Sequence, residues 1–236
     1  MELRKQFIDL KVGDGSTMQA YTVSPAGDGP FPALMVFQEA FGVNDHIQSV
    51  CDRFASEGYF CISPEFYHRT AAPGITGAYS DFPALAPHFS ALNDGNLSLD
   101  LEATFAYLQS SKLVVENRIA CTGYCMGGRV SFLANTLFDL KCAVSYYGGR
   151  IVPDLIKKAG ELHGPMLFFW GGLDKHIGAD QINAVTAALK AANKDFTNVE
   201  ISYADHGFSC DARPSYNKMA ATQAWALTLA FLKLHV

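Results

Sequence analysis

The chain lacks the features of a protein that binds nucleic acid, crosses a membrane or is secreted. Its 236 residues carry a formal net charge of −5, and its 18 lysines and arginines form no long cluster. An acidic chain without a basic patch argues against nucleic acid or an anionic membrane as a partner. Residues 1–5 lack the apolar stretch of a secretory signal, and no uninterrupted apolar run approaches the length of a membrane span. We therefore expect a cytoplasmic protein.

Cysteine is also scarce, with six in the whole chain, which is too few for a small disulfide scaffold. None of the cysteine spacings is typical of a zinc site, so we expect no metal. Cys121 and Cys125 are four residues apart, but the first falls inside an expected strand and the second on a turn. Cys121 either packs in the sheet or acts as a resolving cysteine for Cys125. No internal repeat or linker is visible, so residues 1–236 are expected to form one domain.

Apolar runs alternate with amphipathic stretches from residue 32 onward, which is typical of a mostly parallel sheet covered by helices. An initial hairpin is expected over residues 7–12 and 18–23. Residues 68–96 are rich in Pro and Gly, so we expect an irregular loop there that forms the substrate rim. Further strands are expected near residues 33–37, 59–63, 119–122, 143–147, 166–170 and 199–203, and helices over 45–57, 97–109, 126–137, 179–192 and 214–234. This pattern predicts an α/β fold, a three-layer sandwich with about eight strands and helices on both faces.

The most informative stretch is Gly123-Tyr124-Cys125-Met126-Gly127-Gly128, which directly follows an apolar run. Glycines two residues either side of Cys125 allow a sharp turn from strand to helix that exposes a nucleophile, as in G-x-S-x-G with Cys in place of Ser. A helix that starts after Cys125 would direct its positive end at the sulfur and favour the thiolate. The motif therefore predicts a nucleophile elbow.

Two later residues complete a catalytic set. Asp174 and His206 each follow a strand-like run, so the chain order is nucleophile, acid, histidine, which is the order of α/β-hydrolases. We expect His206 to act as the base towards Cys125 and Asp174 to hold the tautomer of the imidazole. His176 is a rival base, but it lies only two residues beyond Asp174, on the acid's own loop. His206 is therefore favoured.

These residues resemble the dienelactone hydrolases, a cysteine-using branch of the α/β-hydrolases. The resemblance covers nearly the whole chain, and its most restrictive block is Gln-Glu-x-Phe-Gly after the third strand. It implies an α/β-hydrolase fold and cleavage of an ester or lactone, without a metal or an organic cofactor. The motifs that carry it are residues 38–44 (QEAFGVN), 63–67 (SPEFY), 123–128 (GYCMGG), 146–148 (YYG), 171–174 (GGLD) and 206–208 (HGF).

Glu39 has two possible roles, because a carboxylate among apolar neighbours is costly without a partner or a task. It is either a structural acid that caps the next turn or pairs with an arginine such as Arg129, or, as the resemblance implies, it lies beside the resting Cys125 and helps to activate it. In this architecture the oxyanion hole is made by the N–H after the nucleophile and by one from the loop after the third strand. The matching N–H groups here belong to Met126 and Ala40.

The sequence indicates the residues that bind the substrate less clearly than the catalytic residues. In the resembled family, arginines hold the carboxylate of the lactone, and one of them stands four residues after the catalytic histidine, where this chain has Cys210. Arg213 and Arg69 are the candidates to replace it, since a guanidinium can hold a carboxylate with two hydrogen bonds. Alternatively, Arg213 packs at a helix start and Arg69 is solvated. The residues expected to line the pocket are Phe41, Tyr124, Tyr147 and Phe208, although core packing is an equal alternative for Tyr147.

The expected function is hydrolysis of a small ester or lactone by Cys125, His206 and Asp174 through a thioester acyl-enzyme. One alternative is a thiol carboxylesterase of another substrate class, inactive on dienelactone. Another is a non-hydrolytic protein that binds a ligand or senses oxidants through Cys125. The expected partner is a small-molecule substrate, and the expected assembly is a monomer or a homodimer.

Overall fold

The structure, a computed structural model, describes residues 2–236. These residues form two compact units, one that ends at Ile119 and one that runs from Ala120 to Val236. The chain contributes eight strands to a single, mostly parallel sheet, together with six α-helices in the described residues, so the predicted α/β class is confirmed. That residues 1–236 act as one domain stays a prediction.

The first unit begins with the predicted hairpin, whose antiparallel register places Lys11 opposite Thr17. Within this unit the strands lie in the order β1-β2-β4-β3, and β3 runs parallel to β4. Helix α1 begins after Asn44, whose side chain accepts a hydrogen bond from the backbone N–H of Ile47. The elements are β1 (Leu3–Lys11), β2 (Thr17–Pro25), β3 (Phe31–Phe37), α1 (Asp45–Ser56), β4 (Phe60–Pro64), α2 (Phe82–Ala91), α3 (Asp94–Ser110) and the start of β5 (Val114–Tyr124).

The second unit continues β5 into a parallel sheet of order β5-β6-β7-β8. Strands β6 and β7 are buried along their whole length, which their continuous apolar sequences favour. This unit holds the predicted nucleophile, acid and histidine. Its elements are α4 (Met126–Leu137), β6 (Ala143–Tyr146), two short helical turns (Ile151–Leu155 and Ile156–Glu161), β7 (Met166–Gly171), α5 (Ala179–Ala191), β8 (Phe196–Ile201) and α6 (Lys218–His235).

The prediction of an irregular loop over residues 68–96 is wrong in its second half, where α2 forms and α3 begins three residues before the expected start. Pro83 lies in the first turn of α2, where a backbone N–H has no partner inside the helix, so it does not oppose the helix. Pro87 lies inside α2 and removes one donor, a cost that a helix of ten residues tolerates here. The prolines of α2 therefore led to the prediction of a loop where the structure has a helix.

In the part of the chain that the structure describes, no helix has the length and apolarity needed to cross a membrane.

Candidate active site

Cys125 occupies the sharp turn that the glycine pattern predicts. Its backbone has φ 55° and ψ −114°, a left-handed conformation that is strained for a residue with a Cβ, and α4 begins at the next residue. The strain is held by hydrogen bonds on both sides, since the N–H of Cys125 donates to the carbonyl of Tyr146 and the carbonyl of Cys125 accepts from the N–H of Gly128, both at 3.0 Å. The turn thus places the sulfur at the N-terminal end of α4.

The glycines of the elbow are required by close backbone packing. A Cβ on Gly123 would overlap the carbonyl of Gly127, so a side chain at position 123 would push the strand away from the helix start. A Cβ on Gly128 would lie 2.6 Å from the carbonyl oxygen of Tyr146, on the neighbouring strand β6. The motif is therefore a packing constraint as well as a turn.

Among the cysteines in residues 2–236, Cys125 is the one that keeps partial exposure, and the other five are buried. Burial also raises the pKa of Cys51, Cys61 and Cys121 well above the usual thiol range, which keeps them protonated and unreactive. The Sγ of Cys121 lies 3.6 Å from the carbonyl oxygen of Ser131 inside the unit. These facts favour sheet packing over a resolving role for Cys121.

Asp174 lies in the turn after β7 with its carboxylate almost completely covered, at 1% side-chain exposure. Its Oδ1 accepts hydrogen bonds from the backbone N–H groups of His176 at 2.7 Å and Ile177 at 3.3 Å, and its Oδ2 lies 2.7 Å from Nδ1 of His206. Burial alone would raise the pKa of Asp174, but the bond to His206, the charge of that residue and the two N–H donors lower it. Asp174 is therefore an ionised carboxylate aimed at one ring nitrogen.

The loops that carry Asp174 and His206 are joined by backbone hydrogen bonds. The N–H of Leu173 donates to the carbonyl of Ala204 at 2.9 Å, and the N–H of Gly172 donates to the carbonyl of Ile201 at 2.9 Å. A Cβ on Gly171 would lie 2.6 Å from the carbonyl oxygen of Ala204, so the glycines allow this approach. The acid and the histidine are thus held as one rigid pair.

His206 bonds to both predicted partners. Its Nδ1 faces Asp174, and its side chain also forms a hydrogen bond with Cys125. Burial lowers the pKa of His206, but the negative charge of Cys125, together with the hydrogen bonds to Asp174 and Cys125, outweighs burial and raises the pKa to about 10. A raised pKa of this kind is expected for an imidazole that lies between two groups able to carry a negative charge.

His176 also lies at this site. It is exposed, and its ring meets the ring of His206 edge-on, with centroids 5.4 Å apart. Its backbone N–H holds Asp174, whereas the bond between Asp174 Oδ2 and an imidazole nitrogen belongs to His206. The geometry therefore favours His206 as the base, in agreement with the order of residues in the sequence.

Three of the residues expected to line the pocket lie in a packed aromatic cluster of the second unit. Tyr124 is stacked on Tyr146 with centroids 4.6 Å apart, and both are 2% exposed. Tyr147 and Phe208 are fully buried and meet edge-on at 5.3 Å. The ring of Tyr147 lies 5.1 Å from the ring of His206. This arrangement favours support of the histidine over contact with a substrate.

In the first unit, Glu39, Ala40 and Phe41 follow β3 and are buried, at 0%, 5% and 6% exposure. Phe41 packs against the ring of Tyr79 at 4.6 Å and shares a small apolar cluster with Leu85 of α2. The loop after β3 is thus covered by the segment that leads into α2, which was the predicted substrate rim.

The two candidate arginines have different surroundings. Both terminal nitrogens of Arg69 bond to the carboxylate of Asp100, at 2.8 and 3.0 Å, and its Nε bonds to Asp14 at 2.7 Å. Asp100 is fully buried. Arg213 places its guanidinium over Gly207, where a Cβ would lie 2.7 Å from it, next to His206. Arg213 is therefore near His206, whereas Arg69 is committed to a structural pair.

Sequence reasoning assigned no role to several side chains that hold the site. Gln38 belongs to the Gln-Glu-x-Phe-Gly block, and its side chain bonds to the carbonyl of Glu39 and to the backbone N–H of Phe66, which follows β4. Tyr67 donates from its hydroxyl to the carbonyl of Ala40 at 2.9 Å. Ser209 pairs with the hydroxyl of Tyr147 at 2.7 Å. A polar residue inside an otherwise apolar motif, as at Gln38, is the one signal that the sequence offered.

A strained cysteine in the turn after β5, an acid after β7 and a histidine after β8, within a mostly parallel sheet flanked by helices, define an α/β-hydrolase. The whole-chain comparison agrees, because the crystal structure of a provisionally named dienelactone hydrolase from Klebsiella pneumoniae superposes with a TM-score of 0.90 and 31% identity, covering 99% of both chains. The predicted α/β-hydrolase fold is thereby confirmed.

Proteins with similar sequences show which family of α/β-hydrolases the chain belongs to. The model of the dienelactone hydrolase family matches residues 18–236. A provisionally named carboxymethylenebutenolidase of Escherichia coli O157:H7 is 34% identical over 230 residues, which cover 93% of this chain and 83% of that protein. A similarly named protein of Yersinia pestis is 35% identical over 231 residues, 94% of this chain and 85% of that one. The chain belongs to the dienelactone hydrolase family and is a carboxylic ester hydrolase of the ester or lactone type.

Proposed function

We propose that the chain hydrolyses a small ester or lactone through a thioester formed on Cys125, with His206 as proton carrier and Asp174 as its orienting carboxylate. The observation that supports this most strongly is the position of His206, whose Nδ1 lies 2.7 Å from Oδ2 of Asp174 and whose side chain also bonds to Cys125, an arrangement that raises the pKa of His206 to about 10. A thiolate already paired with an imidazolium is a nucleophile at neutral pH, where a free thiol is mostly protonated.

The reaction has two halves. The thiolate of Cys125 attacks the carbonyl carbon and forms a tetrahedral oxyanion. The oxyanion collapses with breakage of the C–O bond, and His206 gives its proton to the departing alcohol, which in a lactone remains tethered. Water then attacks the thioester while His206 accepts its proton. Collapse of the second oxyanion breaks the C–S bond and restores the thiolate and the imidazolium.

The oxyanion donors of this proposal are the N–H groups of Met126 and Ala40. Met126 is the first residue of α4, where backbone N–H groups have no acceptor inside the helix. The helix start also carries a partial positive charge, which favours both the thiolate and the oxyanion. Ala40 belongs to the buried loop after β3, whose neighbouring carbonyls are held by side chains.

For Glu39 we propose assistance in the activation of Cys125, with the structural acid as the alternative. Its complete burial supports a specific task, because a carboxylate in such surroundings is not tolerated without compensation. The bond between Cys125 and His206 already places a base beside the thiol, so Glu39 is expected to modulate the nucleophile rather than to activate it alone.

The substrate class we propose is a lactone or small activated ester, recognised through Arg213 when it carries a carboxylate. Arg213 is favoured over Arg69 because its guanidinium lies against Gly207, whereas the donors of Arg69 are occupied by Asp14 and Asp100. Cys210, at the position of the family's expected arginine, is fully buried. A thiol carboxylesterase of another substrate class remains the alternative.

Membership of a hydrolase family leaves the non-hydrolytic alternative without support. We keep the cytoplasm as the proposed location and a monomer or homodimer as the proposed assembly.

The test is turnover of p-nitrophenyl acetate and of a panel of lactones by wild type, Cys125→Ala and Asp174→Asn. The proposal expects loss of nearly all turnover in Cys125→Ala and a large loss in Asp174→Asn, which keeps its shape but favours the wrong tautomer of His206. Full activity of Cys125→Ala would refute the proposal.

A further inference from the structure

Gln38 follows directly after β3 and is fully buried, although its side chain is polar. Its Nε2 donates to the carbonyl oxygen of Glu39 at 3.3 Å, and its Oε1 accepts from the backbone N–H of Phe66 at 3.2 Å. Phe66 lies two residues beyond the end of β4. The Gln38 amide therefore links the loop after β3 to the loop after the neighbouring parallel strand.

The orientation of this amide is determined by chemistry. A backbone N–H can only donate, so the atom of Gln38 that faces Phe66 must be the oxygen. The NH₂ group is then left to face the carbonyl of Glu39, which can only accept. Both polar ends of a buried side chain are satisfied in one orientation, and a flipped amide would place like groups opposite each other at both ends.

The bond to the Glu39 carbonyl also fixes the N–H of Ala40, because both belong to one planar trans peptide in which C=O and N–H point in opposite directions. A rotation of this peptide that turned the Ala40 N–H away would break the bond to Gln38. The next peptide is held as well, since the hydroxyl of Tyr67 donates to the carbonyl of Ala40 at 2.9 Å. Two successive peptides are thus restrained from their carbonyl sides.

We propose that Gln38 is a positioning residue that aims the Ala40 N–H as an oxyanion donor, with Tyr67 restraining the adjacent peptide. This inference rests on the proposed function. A donor stabilises a developing oxyanion only if it is oriented before the reaction, since reorientation during the reaction would cost free energy. Gln38 acts through the backbone and touches neither the nucleophile nor the substrate in this account.

The experiment compares two reactions of Cys125 in wild type and in Gln38→Met, which keeps the length of the side chain and removes both amide bonds. Acylation by p-nitrophenyl acetate passes through an oxyanion and releases p-nitrophenolate. Alkylation by iodoacetamide forms a C–S bond as the C–I bond breaks and iodide leaves, without any oxyanion. The other five cysteines are buried, so alkylation reports on Cys125.

The matched control is Gln48→Met. The Gln48 side chain also donates to a backbone carbonyl, that of Val43 at 3.0 Å, in the same unit but outside the peptide between Glu39 and Ala40. Loss of one oxyanion donor costs about 100-fold to 1,000-fold in rate, so misorientation should cost about 10-fold or more in acylation by Gln38→Met. Alkylation should stay within about twofold of wild type, and Gln48→Met should keep both rates.

Unchanged acylation in Gln38→Met would overturn the inference. Equal losses in acylation and alkylation would also overturn it, because they would show a general disturbance of Cys125. If Gln38→Met does not fold, Tyr67→Phe decides the question, since it removes one oxygen atom and should lower acylation without lowering alkylation. A wild-type protein that is alkylated at Cys125 but never acylated would refute the proposed function itself, a result distinct from failure of Gln38→Met alone.

Discussion

The hydroxyl of Tyr147 lies 2.7 Å from Oγ of Ser209, which stands three residues beyond His206 on the same loop. Tyr147 is fully buried and has a backbone φ of 39°, a strained conformation for a bulky residue. Strain of this kind persists only where the surroundings hold it, and here the hydroxyl and the ring contacts do so. Tyr147 thus connects the end of β6 to the loop that carries His206.

From this relationship we predict that Tyr147→Phe loosens the His206 loop. The loss of one buried hydrogen bond should lower the free energy of unfolding by about 1 kcal/mol. The rate constant kcat should fall by about fivefold if that restraint acts equally in the transition state. Urea unfolding and steady-state kinetics measure the two effects, and Ser209→Ala should have a similar effect that is not additive with the first.

The control for this prediction is Tyr146→Phe. The hydroxyl of Tyr146 forms a more deeply buried bond, 2.6 Å to Oγ1 of Thr228 on α6, away from the His206 loop. This variant should lose similar stability and keep its kcat. If both variants lost kcat equally, the effect would come from the aromatic core in general and not from the bond to Ser209.

The elements that carry the chemistry could be predicted from the sequence because their signals are local. Glycines around Cys125, and acidic and basic residues at strand ends, depend on short segments whose conformation a few residues determine. The hairpin turn and the strands β3, β6 and β7 are confirmed for the same reason.

What could not be predicted depends on contacts between distant segments. Arg69 was a candidate for substrate binding because nothing near it in the sequence shows Asp100, which lies 31 residues away and takes two of its hydrogen bonds. Tyr147 follows β6, and the direction of its side chain depends on its positive backbone φ of 39°. The sequence does not predict this φ, because tyrosine rarely adopts a positive value. Gln38 is similar, since its partner Phe66 is 28 residues away.

The second prediction concerns the pKa of His206. The charge of Cys125 is the largest influence that raises this pKa, so Cys125→Ala should lower it strongly from about 10. NMR titration of labelled histidine measures the change. An unchanged pKa in Cys125→Ala would show that Asp174 alone raises it and that the thiolate is not paired with the imidazole.

The raised pKa of His206 also makes the stability of the folded state depend on pH. A pKa raised on folding from 6.5 to about 10 means that protonated His206 stabilises the folded state fully below pH 6.5, and this contribution is lost as the pH rises towards 10. In Cys125→Ala the folded-state pKa is lower, so the loss should be smaller and complete at a lower pH. Urea midpoints between pH 6 and about pH 10 test this.

The third prediction concerns Arg213. Arg213→Ala should lower kcat/KM for a lactone that carries a carboxylate far more than for a neutral ester of similar size, because only the former loses a charge-assisted pair. Loss of such a buried pair costs about 2 to 5 kcal/mol. Equal losses on both substrates would show that Arg213 supports the His206 loop and does not recognise charge.

Arg69→Met provides the contrast. It leaves the buried carboxylate of Asp100 without its guanidinium partner, so stability should fall by about 3 kcal/mol while the preference between acidic and neutral substrates stays the same. If Arg69→Met lost that preference, Arg69 would be shown to take part in binding the substrate carboxylate.

The fourth prediction concerns Glu39. If its carboxylate assists Cys125, Glu39→Gln keeps the shape and removes the charge, so acylation should slow strongly with little change in thermal stability. If Glu39 is a structural partner of a buried cation, stability should fall by about 3 kcal/mol instead. Stopped-flow acylation and thermal unfolding of the same variant separate these results, and a stable, fully active protein would reject both roles.

The most direct test of the account is to trap the acyl-enzyme. Wild-type protein mixed with p-nitrophenyl acetate and quenched in acid during the burst should gain the mass of one acetyl group, and peptide mapping should place it on Cys125. His206→Ala, in which Cys125 has lost its proposed base, should show almost no acetylated peptide on the same timescale. Turnover by the wild type without any acetyl group on Cys125, or with the group on another residue, would contradict the account.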